Sequence, residues 1–466
     1  MKPRRADTSL QVAFAFAAPP AALAAPPSRP AMTPSGLVWP PLQKITKVVG
    51  PDGKKRPQLV TQMTGDEFHR IVVDLANPSP WSLPRPAPLA WDGSPFAWPS
   101  VVDQDVLLAL VKAGALVVVS DSGGKDSQAQ GILLSRLVPR EQLLFIHATL
   151  PGVEWPGTLE QAEGHARAAN AEFRVVQAKF GFLEGVERRF AKRPDAPSWP
   201  DPARRSCTKS FKTGPIESAI LSYAKERGFT IVVDATGVRA LESDQRARQP
   251  PWKLYEGKSL LAGVSRGKPV GNRRLWLKYL PIHHLTRRDV FRVIAAAGQR
   301  PHPAYLAGNE RLSCVFCVMG SPEDLRRGAE YNPELYGQYL DTETAVGWKF
   351  RSKKVKGEVV GVSLQDIVGL TREQAIAGKR RLPMYPKTPF TPDMIPSERD
   401  NAPETYESSA CGGGVDQWAT ESDPDEPESD PDDFGEFDEG DDGTKPNHAG
   451  RFADPLVCRR HAHLRR

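Results

Sequence analysis

The octapeptide Ser120-Asp121-Ser122-Gly123-Gly124-Lys125-Asp126-Ser127 constrains this chain most, because of what flanks it. Before it, Ala115-Leu116-Val117-Val118-Val119 is a continuous apolar run, the pattern of a strand buried on both faces. After it, a helical pattern runs from about Ser127 to Leu137. Paired glycines between strand and helix let the backbone turn tightly and come close to a ligand. The helix start then offers unpaired N–H groups and a positive dipole end to an anion. Lys125 adds a charge, and Ser122 and Ser127 add hydroxyls. Asp126 is unfavourable beside a phosphate unless it holds Mg²⁺ or caps the turn. An ordinary glycine-rich turn is the alternative, and it leaves the order of these residues without a reason.

Strands and helices keep alternating beyond this point. Leu143–His147, Glu172–Val176, Thr230–Asp234 and Leu277–Ile282 read as strands, with helices over Thr158–Asn170 and Pro215–Arg227. Thr286 and Asp289 predict a capped helix start, and His283 and His284 before it read as structural. This rhythm predicts an α/β fold, a Rossmann-like parallel sheet with helices on both faces.

The 45 prolines are concentrated where that rhythm fails. Residues 1–100 read as a Pro/Ala-rich extension of low order with one hairpin around Pro51-Asp52-Gly53. Residues 101–350 read as the α/β domain, 351–400 as a small helical extension, and 401–466 as an acidic disordered tail. That tail carries 17 acidic and 6 basic side chains, so with an overall charge of +6 the first 400 residues carry +17. A basic body suits a polyanion, nucleic acid above all; a solvated surface around a nucleotide site is the plainer alternative. Five cysteines do not make a disulfide framework, which favours a reducing cytoplasm. No apolar run is long enough for a membrane span, so no membrane partner is expected.

The octapeptide matches the S-G-G-x-D-S signature of the N-type ATP pyrophosphatases (PP-loop enzymes). From about Ala115 to Tyr339, roughly half of its length, the chain resembles the phosphoadenosine phosphosulfate (PAPS) reductase family. That family includes DNA-phosphorothioation and phage-encoded members. The resemblance implies an adenine nucleotide α-hydrolase-like fold, and ATP and Mg²⁺ as cofactors, with ATP split between its α and β phosphates. Ser122, Gly123, Gly124, Lys125, Asp126 and Ser127 would hold pyrophosphate. His147 and Glu154, after the second strand, would border the adenosine. Arg204 to Ile216 looks like the family's C-C-x-x-R-K-x-x-P-L motif, with Cys207 on its first cysteine, Thr208 on its second and Lys212 on its lysine. Thr236-Gly237-Val238-Arg239 through Arg246 is similar to its G-x-R-x-x-E-S-x-x-R segment. By this resemblance Lys125, Asp126, Lys212 and Arg239 are the candidate catalytic residues, and Gly237 and Arg246 contact the nucleotide.

Cys314-Val315-Phe316-Cys317 is a C-x-x-C that joins Cys207 as a candidate ligand set. Three thiolates suit a [4Fe–4S] cluster with one open iron, or Zn²⁺ if a histidine such as His302 completes the set; no metal at all is the third option. Three functions follow. The first is adenylation of a substrate, with nucleic acid expected, followed by sulfur or related group transfer from a sulfur-donor protein. The second is reduction of PAPS or adenylylsulfate, which in the family uses a mobile C-terminal cysteine; Cys411 and Cys458 do not match that tail. The third is a non-catalytic nucleotide-binding subunit of a nucleic-acid-modifying complex.

Overall fold

The structure, a computed structural model, describes residues 36–396 apart from 50–53, 78–95, 202–204, 262–263, 266–267, 270–272 and 356–357. The low-order readings of residues 1–35 and of the acidic tail, with Cys411 and Cys458, lie outside the described residues.

Strands β1 (Leu42–Val49) and β2 (Lys55–Met63) form an antiparallel hairpin on either side of the turn predicted at residues 51–53. Helix α1 (Gly65–Leu75), which the sequence reading did not anticipate, starts at a capping box between Thr64 and Glu67 and buries Phe68, Val72 and Leu75. The alternating region follows as α2 (Gln104–Lys112), β3 (Leu116–Ser120), α3 (Lys125–Ser135), β4 (Leu143–Ala148), α4 (Thr158–Ala168) and β5 (Glu172–Val176). It continues through α5 (Phe182–Lys192), the short α6 (Ser206–Thr208), α7 (Gly214–Arg227), β6 (Ile231–Ala235) and α8 (Asp244–Ala247). Next come β7 (Trp252–Leu254), the two-residue strands β8 (Val264–Ser265) and β9 (Lys268–Pro269), and β10 (Leu275–Tyr279). Helices α9 (Arg287–Ala296), α10 (Pro322–Tyr331) and α11 (Pro333–Val346) precede a hairpin of β11 (Arg351–Val355) and β12 (Glu358–Val362). Two short helices, α12 (Leu364–Val368) and α13 (Arg372–Ala377), follow it.

Six strands make the central sheet in the order β5-β4-β3-β6-β10-β7. The first five run parallel, but β7 is antiparallel to β10, so the sheet is mixed at one edge rather than wholly parallel. The physical reason is the connection: β7 returns to β10 through the β8–β9 turn instead of a crossover helix. Three residues of edge strand leave little periodicity to read. The side-chain amide of Gln62 covers that edge, donating to Leu254 O and accepting from Leu254 N, both at 3.1 Å.

Alternation along the strands splits the core in two. Val117, Val119, Phe145, Val233 and Leu277 belong to one layer with the residues of α3 and α9. Leu116, Val118, Leu144, Ile146, Val232 and Trp276 pack with Ile220, Tyr223 and Ala224 of α7 on the other side. Burial on both sides is what a continuous apolar strand requires. The strand order runs outward from β3 through β4 one way and from β6 through β10 the other. The loops after β3 and β6 therefore leave the sheet side by side, at the crevice where open α/β sheets bind ligands.

Candidate active site

Gly123 turns the chain out of β3 with φ of 73°, a conformation that favours glycine, and α3 begins two residues later at Lys125. The octapeptide thus lies on the rim of the sheet. Its amides, expected to stand open, are in large part engaged by the chain itself. Ser122 N donates to Ser127 Oγ at 3.2 Å, and Gly123 N to Asp121 Oδ1 at 2.7 Å. Gly124 N donates to Ser122 Oγ at 3.4 Å, and Lys125 N to the Tyr305 hydroxyl at 3.0 Å. The amides of Asp126 and Ser127 have no acceptor among the described residues.

Asp121, to which the sequence reading gave no role, organises the turn. Its Oδ1 also accepts from Ser127 Oγ at 2.8 Å, and its Oδ2 lies 2.9 Å from His165 Nδ1. His165 Nε2 faces the donating amide nitrogen of Gln161 at 3.0 Å, so the imidazole carries its proton on Nδ1 and gives that bond to Asp121. Nothing in the spacing from Asp121 to His165 marks the pair; only the packing of α4 beside α3 brings them together.

Four of the candidate nucleotide residues converge in one ionic cluster. Lys125 Nζ lies 2.8 Å from Asp126 Oδ2, and Arg239 Nε lies 2.8 Å from Asp126 Oδ1. Arg239 N donates to Glu242 Oε2 at 2.9 Å, and Glu242 pairs in turn with Arg246. Burial alone would raise the Asp126 pKa, but the Lys125 and Arg239 charges hold the carboxyl down at about 2. Burial depresses Lys125 itself, only partly opposed by Asp126. Gly237 does not face the crevice openly: a Cβ there would lie 2.8 Å from Asp126 C and 3.1 Å from Ser127 N. It is glycine because the β6 loop backs directly onto the first turn of α3.

The remaining candidates form a second group. His147, at the end of β4, donates from Nδ1 to Asp121 O at 2.7 Å, which leaves Nε2 buried, without a hydrogen-bond partner and 3.7 Å from Glu154 Oε2. Burial pulls the His147 pKa down, but Glu154 and Asp121 together outweigh it and raise it. Glu154 accepts from Thr149 Oγ1 at 3.1 Å and Leu150 N at 3.0 Å. The thiol segment is zipped to this same loop by a bridge between Glu154 and Cys314 and by Val315 N donating to Val153 O at 2.8 Å. Lys212 sits in a π-helical turn, Lys209–Thr213, a form common at functional sites. Cys314 foremost raises its pKa, joined by Glu154, Cys317 and Cys207, so the structure gathers the three predicted thiols about this lysine.

Loss of solvation pushes the Cys314 thiol up to about 12 and raises Cys207, Lys212 notwithstanding. Among the described residues no group of three or more His, Cys, Asp or Glu side chains converges as a metal site. His302 has both ring nitrogens engaged, Nδ1 accepting from Ala304 N at 3.1 Å and Nε2 donating to Pro156 O at 3.0 Å. It is therefore no free fourth ligand for zinc.

Burial lowers the His302 pKa to about 4, so its neutral form belongs to the folded state. The unfolded chain binds this proton first as pH falls, and stability drops from about pH 6.5 toward 4. At about 1.4 kcal/mol per pKa unit, the loss is on the order of 3 kcal/mol. Urea melts across that range check it, with H302Q expected to flatten the slope and an unchanged slope counting against it.

A mixed, mainly parallel sheet with this diglycine turn at its crevice, and a charged cluster shared by the start of α3 and the loop after β6, is the architecture of a PP-loop-like domain. Residues 116–319 match the phosphoadenosine phosphosulfate reductase domain, and the chain carries a domain of that superfamily. An uncharacterized 37.8 kDa protein of Escherichia phage 186 is 28% identical over 264 residues, 49% of this chain and 75% of the relative. An uncharacterized protein of Methanocaldococcus jannaschii is 24% identical over 229 residues, covering 49% of this chain and 48% of that protein. Among solved structures, a Candida auris PAPS reductase in a phosphate complex superposes with a TM-score of 0.30 at 17% identity, over 45% of this chain and 87% of its own. A Candida glabrata FMN adenylyltransferase with FMN and an ATP analogue gives a TM-score of 0.29 at 11% identity, over 64% and 81%. Superpositions this loose bear on neither substrate nor mechanism. Among the described residues no helix is long and apolar enough to cross a membrane.

Proposed function

We propose that this domain binds an adenine nucleotide with its phosphates at the start of α3 and carries out sulfur chemistry with it. The observation that supports this most is the joining of two groups by the Asp121 turn: the cluster of Lys125 and Asp126 on α3 with Arg239 from the loop after β6, and the His147–Glu154 loop to which the thiol segment is zipped. The free amides of Asp126 and Ser127, with Lys125 and Arg239, would neutralise phosphate charge as it develops. If Mg²⁺ enters with the nucleotide, Asp126 would hold it by exchanging one of its ion pairs, and the ion would supply positive charge against the phosphates.

Two reactions share this arrangement. The match to the PAPS reductase domain favours reduction of a ready-made sulfonucleotide, in which a dithiol supplies two electrons, the nucleotide leaves and sulfite is released. The intact loop, with Lys125 and both serines kept, favours cleavage of ATP between its α and β phosphates, adenylation of nucleic acid and sulfur transfer from a donor protein. Incubation with PAPS and reduced thioredoxin, and in parallel with ATP, Mg²⁺ and nucleic acid, separates them. Sulfite that disappears when Cys411 or Cys458 is substituted supports reduction; pyrophosphate and AMP support adenylation. Nucleotide binding without turnover supports a binding subunit, and ADP as product contradicts all three. Cys207, Cys314 and Cys317 as ligands of a cluster or zinc remain a proposal, tested by iron, sulfide and zinc assay after anaerobic purification.

A further inference from the structure

We propose that Tyr305 is a positioning residue that latches the phosphate loop to the thiol segment and is displaced when phosphate binds. This rests on the reading that the loop takes phosphate, and adds to it a link between nucleotide occupancy and the thiols. Of the oxygens engaging the amides of Ser122 to Lys125, those of Asp121, Ser122 and Ser127 are local. Tyr305 alone comes from afar, 180 residues along the chain. Its hydroxyl accepts from Lys125 N at 3.0 Å and from Leu312 N at 3.3 Å, two residues before Cys314. One oxygen thus ties the first turn of α3 to the C-x-x-C segment.

The latch is rigid. Tyr305 is 2% exposed, its ring stands edge-on to Phe291 at 5.7 Å, and Lys125 Nζ lies 5.6 Å from its centroid. Burial raises the phenol's pKa, so the group stays neutral and competes for the amide as a hydroxyl only. A Cβ built on Gly124 would meet this hydroxyl at 3.3 Å, which sets it directly over the diglycine turn. A phosphate oxygen on Lys125 N must take the place that the phenol oxygen holds. Once it does, Leu312 loses its anchor to the loop, while the thiol segment keeps its Glu154–Cys314 and Val153–Val315 contacts and the bond from Arg351 to Cys317 O.

Calorimetric titration of the full chain with inorganic pyrophosphate, together with iodoacetamide labelling of Cys314 and Cys317 read by mass spectrometry, tests this. Y305F keeps the ring on Phe291 and removes the competitor, so it binds pyrophosphate roughly three- to ten-fold tighter than wild type. In the wild type, saturating pyrophosphate speeds labelling of the two thiols several-fold; in Y305F labelling is already fast and pyrophosphate changes it little. The wild-type labelling comparison stands even if a melting curve shows Y305F to be poorly folded. If the wild type binds pyrophosphate but Y305F binds it no tighter, or wild-type labelling ignores pyrophosphate, the latch is wrong and the phosphate loop stands. If the wild type binds no pyrophosphate, both readings fall.

Discussion

Replacing Asp126 by asparagine is expected to destabilise the chain by about 3 kcal/mol at pH 7, and pyrophosphate is expected to restore much of that loss. The side chains of Lys125 and Arg239 are each 3% exposed and share this one carboxylate. Asparagine keeps the shape and leaves two buried cations facing each other. Breaking a buried pair from one side costs about 3–5 kcal/mol, and the 22% exposure of Asp126 places this case at the lower end. Lys125, already depressed by burial, offsets part of the cost by shedding its proton. An anion supplies the missing charge, so the thermal shift with pyrophosphate is larger for D126N than for wild type. The acid dependence has a definite sign. A carboxyl held at about 2 contributes stability that is complete above its ordinary value of 3.8 and disappears as pH falls through 2. The gap between wild type and D126N therefore narrows below pH 4. Melts at pH 7 and pH 3, with and without pyrophosphate, check this; a D126N protein as stable as wild type would refute the ionic cluster.

Gly237→Ala is expected to damage both stability and anion binding. Its Cβ would meet the Asp126 carbonyl carbon at 2.8 Å, its oxygen at 3.0 Å and Ser127 N at 3.1 Å, all backbone atoms that no rotamer change can move. Overpacking of this kind costs about 1–3 kcal/mol. The atoms displaced include Ser127 N, one of the two amides without an acceptor, so pyrophosphate affinity should fall by at least about ten-fold, the equivalent of one charge-assisted hydrogen bond. Gly164 provides the comparison: it lies in α4, and a Cβ there meets nothing within 4 Å. G164A should be neutral or stabilising by up to about 1 kcal/mol, with pyrophosphate binding unchanged. Equal behaviour of the two variants in melting and titration would show that the β6 loop does not brace the phosphate turn.

The parallel strands were readable because burial on both faces leaves an unbroken apolar signature, as at Leu116–Ser120 and Ile231–Ala235. Edge strand β7 was not, since three residues carry no period and their direction is set by the connection that follows. Helix α1 was missed although Thr64 and Glu67 spell a capping box, because the prolines around it drew the reading toward a low-order arm. At the site, Lys125, Asp126, Arg239 and Arg246 could be named from their motifs, and the fold brings them into one cluster. Asp121, His165 and Tyr305 could not, because their roles come from contacts across 44 and 180 residues that no local pattern encodes. The close packing of Gly237 against the first turn of α3 is likewise set by contacts that its motif does not encode.

A crystal structure of the full chain with a non-hydrolysable ATP analogue and Mg²⁺ tests the central claim most directly. The account predicts phosphate oxygens on the amides of Asp126 and Ser127, Lys125 Nζ turned from Asp126 toward them, and the adenosine beside His147 and Glu154. Nucleotide bound away from the crevice between β3 and β6, or a loop still closed on its own side chains at saturating ligand, would contradict it.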